Sequence, residues 1–508
     1  MAESSCERCV TGQPKGRVRD REKEIGFRTG TPDDILMYPS PVSIWSAFPF
    51  LILLASIAIV PLVSKSWWEK FYPAVSIGLG VFTICFYTLF LGIPGPVIDS
   101  GYEYVSFMAL VGSLFVIAGG IHIKLRGRSR PLTNVIFLAV GAVVANILGT
   151  TGASMIMIRP YIRVNHYRIK PYHVIFFIFI VSNIGGALTP VGDPPLFVGY
   201  LKGIPFFWPI ANLWYIWLFA VAAILAVYYM IDRRDFARLP VGQQHLAEEM
   251  SEHGEIVGLH NILFLVVVLA AVFVTNPPFL REGLMILAAT GSYLTTPRDI
   301  HKKNDFDFLP IKEVAILFFG IFATMVPALD WIRQNSAAFG FRLPAQFYWS
   351  SGALSSVLDN TPTYLNFLSA ALGVFVSNGV VGQIHNLVLL HGAGLPVAAS
   401  SFSPDIRSTI GTLMTYHPAL VASRSVSPEQ IATMYLLSNR AVIVQAISIG
   451  AVFFGAMTYI GNGPNFMVKS IAEQTGVRCP SFITYIIRYT LPVLLPLFLI
   501  IWFVFFYK

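Results

Sequence analysis

Apolar residues run along this chain in blocks of about 20, the length an α-helix needs to cross a bilayer core of about 30 Å. The blocks fall near 43–63, 72–92, 104–121, 132–158, 172–200 and 209–230, then near 259–276, 282–297, 311–330, 344–370, 439–468 and 485–506. A polar stretch over 231–258 separates the sixth block from the seventh. The pattern predicts an all-α integral membrane protein in two halves, 43–230 and 259–508, joined by a cytoplasmic linker and preceded by a polar tail over 1–42. A Gly/Ser/Pro-rich stretch near 375–435 reads as an insertion in the second half.

The halves also match in sequence. "GALTPVGDPPLF" (Gly186–Phe197) aligns without a gap to "GAMTYIGNGPNF" (Gly455–Phe466), with six of twelve positions identical. Glycine, threonine and proline recurring in register point to a repeat rather than to shared low complexity. A fainter echo precedes each copy, where "ILGTTGASM" (Ile147–Met155) parallels "VLDNTPTYL" (Val357–Leu365).

Charge then orients the halves. Only 12% of the residues are charged, against about a quarter in soluble domains, which excludes a soluble fold. The net +8 sits in short clusters between apolar blocks, a membrane-topology signal rather than a nucleic-acid surface. Lys124, Arg126, Arg128 and Arg130 precede block 132–158, and Arg159, Arg163, Arg168 and Lys170 follow it. Both ends therefore prefer the cytoplasm, and the block reads as a re-entrant hairpin with its tip near Gly149–Ala153. Each half then has about five crossings, one of them broken, and one hairpin. An odd number of crossings inverts the second half relative to the first. The same scheme puts the N-terminal tail outside, against its own Lys/Arg content, and the sequence leaves that conflict open.

The candidate chemistry lies where the helices break. Pro190, Pro194 and Pro195 cannot all lie in a regular helix. Backbone freed at membrane depth is tolerated where it is buried in protein or lines a watery cavity, and its carbonyls suit a small cation. Asp193 would supply the charge, although an aspartate there could equally cap the second half-helix. The repeat has neutral Asn462 at that place. Asp359, in "LDNTPTYLNF", sits at the second hairpin tip, where an Asx turn is the plain alternative. One acid from each half would make a site where Na⁺ and H⁺ compete. Asn183, Thr189, Asn360, Thr361, Thr458, Asn462, Asn465 and Thr151 are candidate supporting ligands, with Asn146, Thr150 and Ser182 beside them. In helices, such residues also bond backbone or neighbouring helices.

Other features carry less. Cys6 and Cys9 form half a zinc site at most. His245, Glu249 and His253 have helical spacing on a solvated linker. Lys469 with Glu473, Glu313 and Asp330 read as interfacial. No HExxH, GxSxG or Walker loop appears, so neither an enzyme nor a cofactor is expected. The expected ligands are small ions or a carboxylate, in a lipid bilayer.

"SNIGGALTPVGDPPLFVG", "LDNTPTYLNF" and "YIGNGPNFMVKSIAE" resemble the bacterial sodium:proton antiporters of the NhaD type and the related citrate transporters of the ion transporter superfamily, over roughly residues 43–506. The resemblance implies a homodimer in a bacterial inner (plasma) membrane, each protomer with a scaffold and an elevator-like transport domain. It implies that Asp193 and Asp359 bind cation and proton, and that Asn183 is the polar start of the first broken helix. Carboxylate carriers of that superfamily place Ser-Asn-Thr at the hairpin tips. Here the tips read Gly149-Thr150-Thr151-Gly152 and Asp359-Asn360-Thr361-Pro362, and an acid at the second tip should repel citrate or a dicarboxylate. Sodium:proton antiport is the first expectation, coupled carboxylate uptake the alternative.

Overall fold

In a computed structural model of the chain, residues 43–507 are described apart from 125–128, 241–254, 275–276, 305, 336–337, 339 and 395–401. The tail with Cys6 and Cys9, and the linker residues His245, Glu249 and His253, lie outside the described residues. The first half comprises α1 (Phe48–Val63), α2 (Lys65–Cys85), α3 (Pro94–Gly119), α4 (Pro131–Asn165), α5 (Pro171–Ile180), α6 (Pro194–Leu201) and α7 (Trp208–Ala237). Pro94, Pro131, Pro171 and Pro194 each stand at the first helical position, where the missing N–H is no loss and φ is already helical.

The second half comprises α8 (Asn261–Ala271), α9 (Leu280–Thr295), α10 (Arg298–Lys303), α11 (Leu309–Asn335), α12 (Pro344–Ser355) and α13 (Asn360–Phe375). It continues with α14 (Asn378–His391), α15 (Pro404–Tyr416), α16 (Pro418–Ala422), α17 (Pro428–Asn439), α18 (Ala441–Phe454), α19 (Gly463–Gln474) and a final helix α20 over Phe482–Phe506.

Segment α4 is a hairpin. Asn134 and Asn165, near its two ends, donate amide hydrogens to each other at 2.8 and 2.9 Å. A continuous helix would hold them roughly 46 Å apart. The chain turns back at Gly149, whose φ of 74° and ψ of 155° suit glycine alone. Helices α12 and α13 fold back likewise, with the rings of Phe347 and Phe375 6.1 Å apart.

Packing partners swap between the halves. Helix α2 packs on α11, and α9 packs on α3. Helix α1 touches α2 and α11, as α8 touches α9 and α3, while α3 and α11 pack on each other. The α4 hairpin lies against α19 of the second half, and α13 lies against α6 of the first. Each hairpin thus leans on the other half's broken helix.

Among the described residues, seven helices are long and apolar enough to cross a membrane, or nine if each of two bent pairs is one span. That is fewer than the apolar blocks predict. Block 259–276 yields only the 11 residues of α8, and block 282–297 the 16 of α9. The described part of the insertion near 375–435 is largely helical, because Pro404, Pro418 and Pro428 begin α15, α16 and α17 instead of interrupting them. Part of the linker is structured too. Helix α7 runs on to Ala237, and Glu255–Val257 pairs antiparallel with His122–Lys124 as a three-residue ribbon, the exception to helical structure among the described residues.

Candidate functional site

Four interruptions meet in one place: the tips of both hairpins, the break between α5 and α6, and the break between α18 and α19. Thr150 N–H, at the first tip, donates to Gly192 O in the first break at 2.8 Å. Thr189 donates its hydroxyl to the backbone of the α4 hairpin, and Thr458 to the backbone of the second hairpin. The breaks are thereby stitched to the tips.

Asp193 is the point of convergence. It is fully buried and holds the N-cap position of α6, yet its carboxylate makes no cap bond to that helix. Oδ1 instead accepts from Thr150 Oγ1 at 2.9 Å and Asn462 Nδ2 at 3.3 Å, and Oδ2 accepts from Asn360 Nδ2 at 3.2 Å. One carboxylate thus gathers the first tip, the second tip and the second break. All three donors are neutral. A buried carboxylate without partners would be strongly disfavoured, and these hydrogen bonds offset that without cancelling its charge. The alternative reading, a simple helix cap, fails for Asp193.

It holds for Asp359. Its carboxylate accepts the Thr361 backbone N–H at 3.0 Å and so caps α13. Among the described residues no hydrogen bond joins it to Asp193. Thr361 is buried on the same turn. Thr151 lies apart, lining a cavity of ≈ 30 Å³ between the first tip, Pro190, Pro194 and α3. That volume suits a water or two, or a bare small ion.

Asn183 and Asn465 do another job. Asn183 donates to Asn465 Oδ1 at 2.6 Å and to Ile178 O at 2.8 Å, and accepts from Asn462 at 3.2 Å. Asn465 donates to Gly455 O and Thr458 O, both at 2.8 Å. A line of amides therefore runs from Asp193 through Asn462 and Asn183 to Asn465, bolting one broken helix to the other. Both ends of Asn183 and of Asn465 are already engaged.

Several of the freed carbonyls, expected as cation ligands, are in use. Gly185 O accepts from Asn146 Nδ2 at 2.7 Å and from Trp217 Nε1 at 3.0 Å. Leu188 N–H donates to Asn146 Oδ1 at 2.9 Å, so Asn146 stands in for the missing helical partners of the break. Buried backbone groups need partners, and side chains supply them here before any ion does. Ser182 pairs with Ser154 at 2.8 Å.

One cluster escaped the sequence reading. Arg168, counted there only as a topology signal, is buried on Asp232 in a bidentate pair. Asp232 also accepts from Tyr172 at 2.7 Å and Asn134 at 3.1 Å, binding the feet of the α4 hairpin to α5 and α7. An aspartate in the last turns of an apolar helix, beside Arg233 and Arg234, was the available signal. Lys469 and Glu473 do form an i,i+4 pair at 3.6 Å, Glu313 is exposed, and Asp330 accepts from buried Tyr87.

The comparisons with known proteins agree with this architecture. An uncharacterized transporter of Mycobacterium bovis is 22% identical over 392 residues, covering 74% of this chain and 80% of the relative. An uncharacterized transporter of Mycobacterium tuberculosis matches to the same extent. A family model described as "Putative citrate transport" matches residues 40–506. That is nearly the whole described chain, apolar helices and stitched breaks alike, and so this multi-pass membrane protein belongs to that transporter family and is not an enzyme.

Proposed function

We propose that the protein is a secondary transporter that exchanges sodium for protons, with Asp193 as the group that either ion neutralises. The observation that carries this reading is the carboxylate's set of partners: Thr150, Asn360 and Asn462, all neutral, from three different interruptions. A buried charge with polar but uncharged neighbours has room in its electrostatics for one small cation. The hydroxyl oxygen of Thr150 is a further ligand of the kind a hard cation takes. Asp359 adds its field from the tip of the second hairpin. In this reading the halves are inverted repeats, the hairpins and broken helices move together as the transport domain, and the protein works as a homodimer in a bacterial inner membrane.

Coupled uptake of citrate or a dicarboxylate is the second reading, favoured by the family's description. It needs a positive or donor-rich pocket. The nearest basic candidate of the first hairpin, Arg159, lies about 15 Å along its arm from the tip. A substrate carboxylate placed among the tips would meet Asp193.

Reconstituted vesicles with an internal pH dye separate the two. Sodium pulses that dissipate a proton gradient, together with no saturable uptake of labelled citrate, support exchange. Citrate accumulation with no sodium-driven proton movement overturns it.

A further inference from the structure

Ser355 ends α12, is fully buried and has two acceptors within reach of its hydroxyl: Asn360 Oδ1 at 2.6 Å and Ala451 O at 2.5 Å. A serine has one hydroxyl hydrogen, so it serves one of them at a time. Ala451 lies in the last turn of α18, where the Gly455 N–H turns to Phe453 O and leaves that carbonyl short of its usual donor. On its other side Asn360 donates to Asp193. Asn360 therefore stands between a carboxylate and a hydroxyl.

The two ends of a side-chain amide are nearly equal in shape, so turning it over fills the same space and exchanges donor for acceptor. In one arrangement Asn360 offers N–H to a charged Asp193 and accepts the Ser355 hydrogen. In the other, Asn360 Oδ1 faces Asp193 while its NH₂ donates to Ser355 Oγ, whose hydrogen goes to Ala451 O. The second arrangement sets two oxygens against each other. That is repulsive for a bare carboxylate and attractive once a proton or cation lies between them. Asn462 has no such freedom, because its NH₂ also donates to Ser182 O and Asn183 Oδ1. Only a hydroxyl, which donates or accepts as required, allows the turn at Asn360.

We propose that Ser355 is a positioning residue that sets which end of the Asn360 amide faces Asp193, and that the amide turns over when a proton or cation neutralises the carboxylate. The inference rests on the reading of Asp193 as the cation site. The loaded arrangement uses Ser355 twice, as acceptor from Asn360 and donor to Ala451, and the unloaded arrangement uses it once. Removing the hydroxyl therefore weakens the loaded state selectively. Besides Asp193, the titratable group on the same tip is Asp359, whose carboxylate is held by the Thr361 N–H and makes no hydrogen bond to Ser355 among the described residues.

The test compares wild type, Ser355→Ala, Ser355→Thr and Asp193→Asn in vesicles with an internal pH dye and graded sodium pulses. Ser355→Ala is expected to raise the KM for sodium about three- to tenfold, as loss of one net hydrogen bond implies, with little change in maximal rate. Ser355→Thr, which keeps the hydroxyl, restores it. An unchanged KM in Ser355→Ala beside an inactive Asp193→Asn overturns the switch and leaves the cation site standing. Equal losses in Ser355→Ala and Ser355→Thr also overturn it. Citrate uptake without any sodium response in wild type removes the cation site and the switch together. Should Ser355→Ala fail to fold, Ser355→Gly, which also lacks the hydroxyl, replaces it, and a wild-type KM there overturns the proposal.

Discussion

Thr189 and Thr458 make the same two hydrogen bonds in the two breaks. Thr189 Oγ1 donates to Asn146 O at 2.6 Å and accepts the Gly192 N–H at 3.0 Å. Thr458 Oγ1 donates to Ser356 O at 2.6 Å and accepts the Gly461 N–H at 3.0 Å. The backbone architecture of the breaks is thus shared. The acid at 193 and the amide at 462 differ for a reason other than construction, and the charge belongs to one break only.

Asp193→Asn should leave the fold intact, because asparagine keeps the shape and can still accept from Thr150. Sodium-induced thermal stabilisation should disappear, since a ligand raises the melting point only by binding the native state. Melting curves with and without sodium check this. A variant that sodium still stabilises as it does wild type would remove Asp193 from the site.

Asp359 should behave differently. Asparagine caps a helix about as well as aspartate, whereas alanine costs about 1 kcal/mol. Asp359→Asn is expected to fold and exchange ions with a weaker apparent sodium affinity. Asp359→Ala should lower the melting point as well. Equal inactivation by Asp359→Asn and Asp193→Asn would show instead that the two acids share one site.

Breaking the Arg168–Asp232 pair leaves a charge buried and unpaired, at a cost of about 3–5 kcal/mol. Arg168→Met or Asp232→Leu alone should sharply reduce the monodisperse fraction in detergent. The double variant should recover much of it, because two apolar side chains replace the pair without a stranded charge. Size-exclusion profiles of the three variants give the coupling.

A Cβ on Gly192 would lie 2.2 Å from Gly186 O, and one on Gly461 would lie 2.7 Å from Gly455 O. Both contacts are with backbone, which cannot step aside. Gly192→Ala and Gly461→Ala should each lose at least the ~1–3 kcal/mol of an overpacked core. Gly463→Ala, with nothing within 4 Å, serves as the control and should melt within a few degrees of wild type.

The chain's apolar blocks made the membrane class legible, and the Gly186–Phe197 repeat marked both breaks. Proline and glycine at fixed offsets have few other physical uses. The hairpin at Gly149 was readable from basic residues at both of its ends. Chemistry was harder to read, because Asp193 and Asp359 look alike in sequence: each precedes a helix start and sits beside small polar residues. Only the partners distinguish them, and those partners come from positions up to 269 residues away. Asn146 and Asn465 were hard to read for the same reason, since an amide that mends backbone and one that binds an ion leave the same mark in sequence. Ser355 and Asp232 carried no local signal strong enough to single them out.

The contact between Asn134 and Asn165 changes the parity of the chain. A segment that hydropathy scores as a crossing carries the polypeptide nowhere, so the loops between Asn165 and Pro344 are expected on the face opposite to the one a simple tally assigns. The second fold-back, at Phe347 and Phe375, repeats the miscount and cancels it. A reporter fused to the C-terminus therefore gives the same answer under either tally, and only loops between Asn165 and Pro344 can tell the two apart.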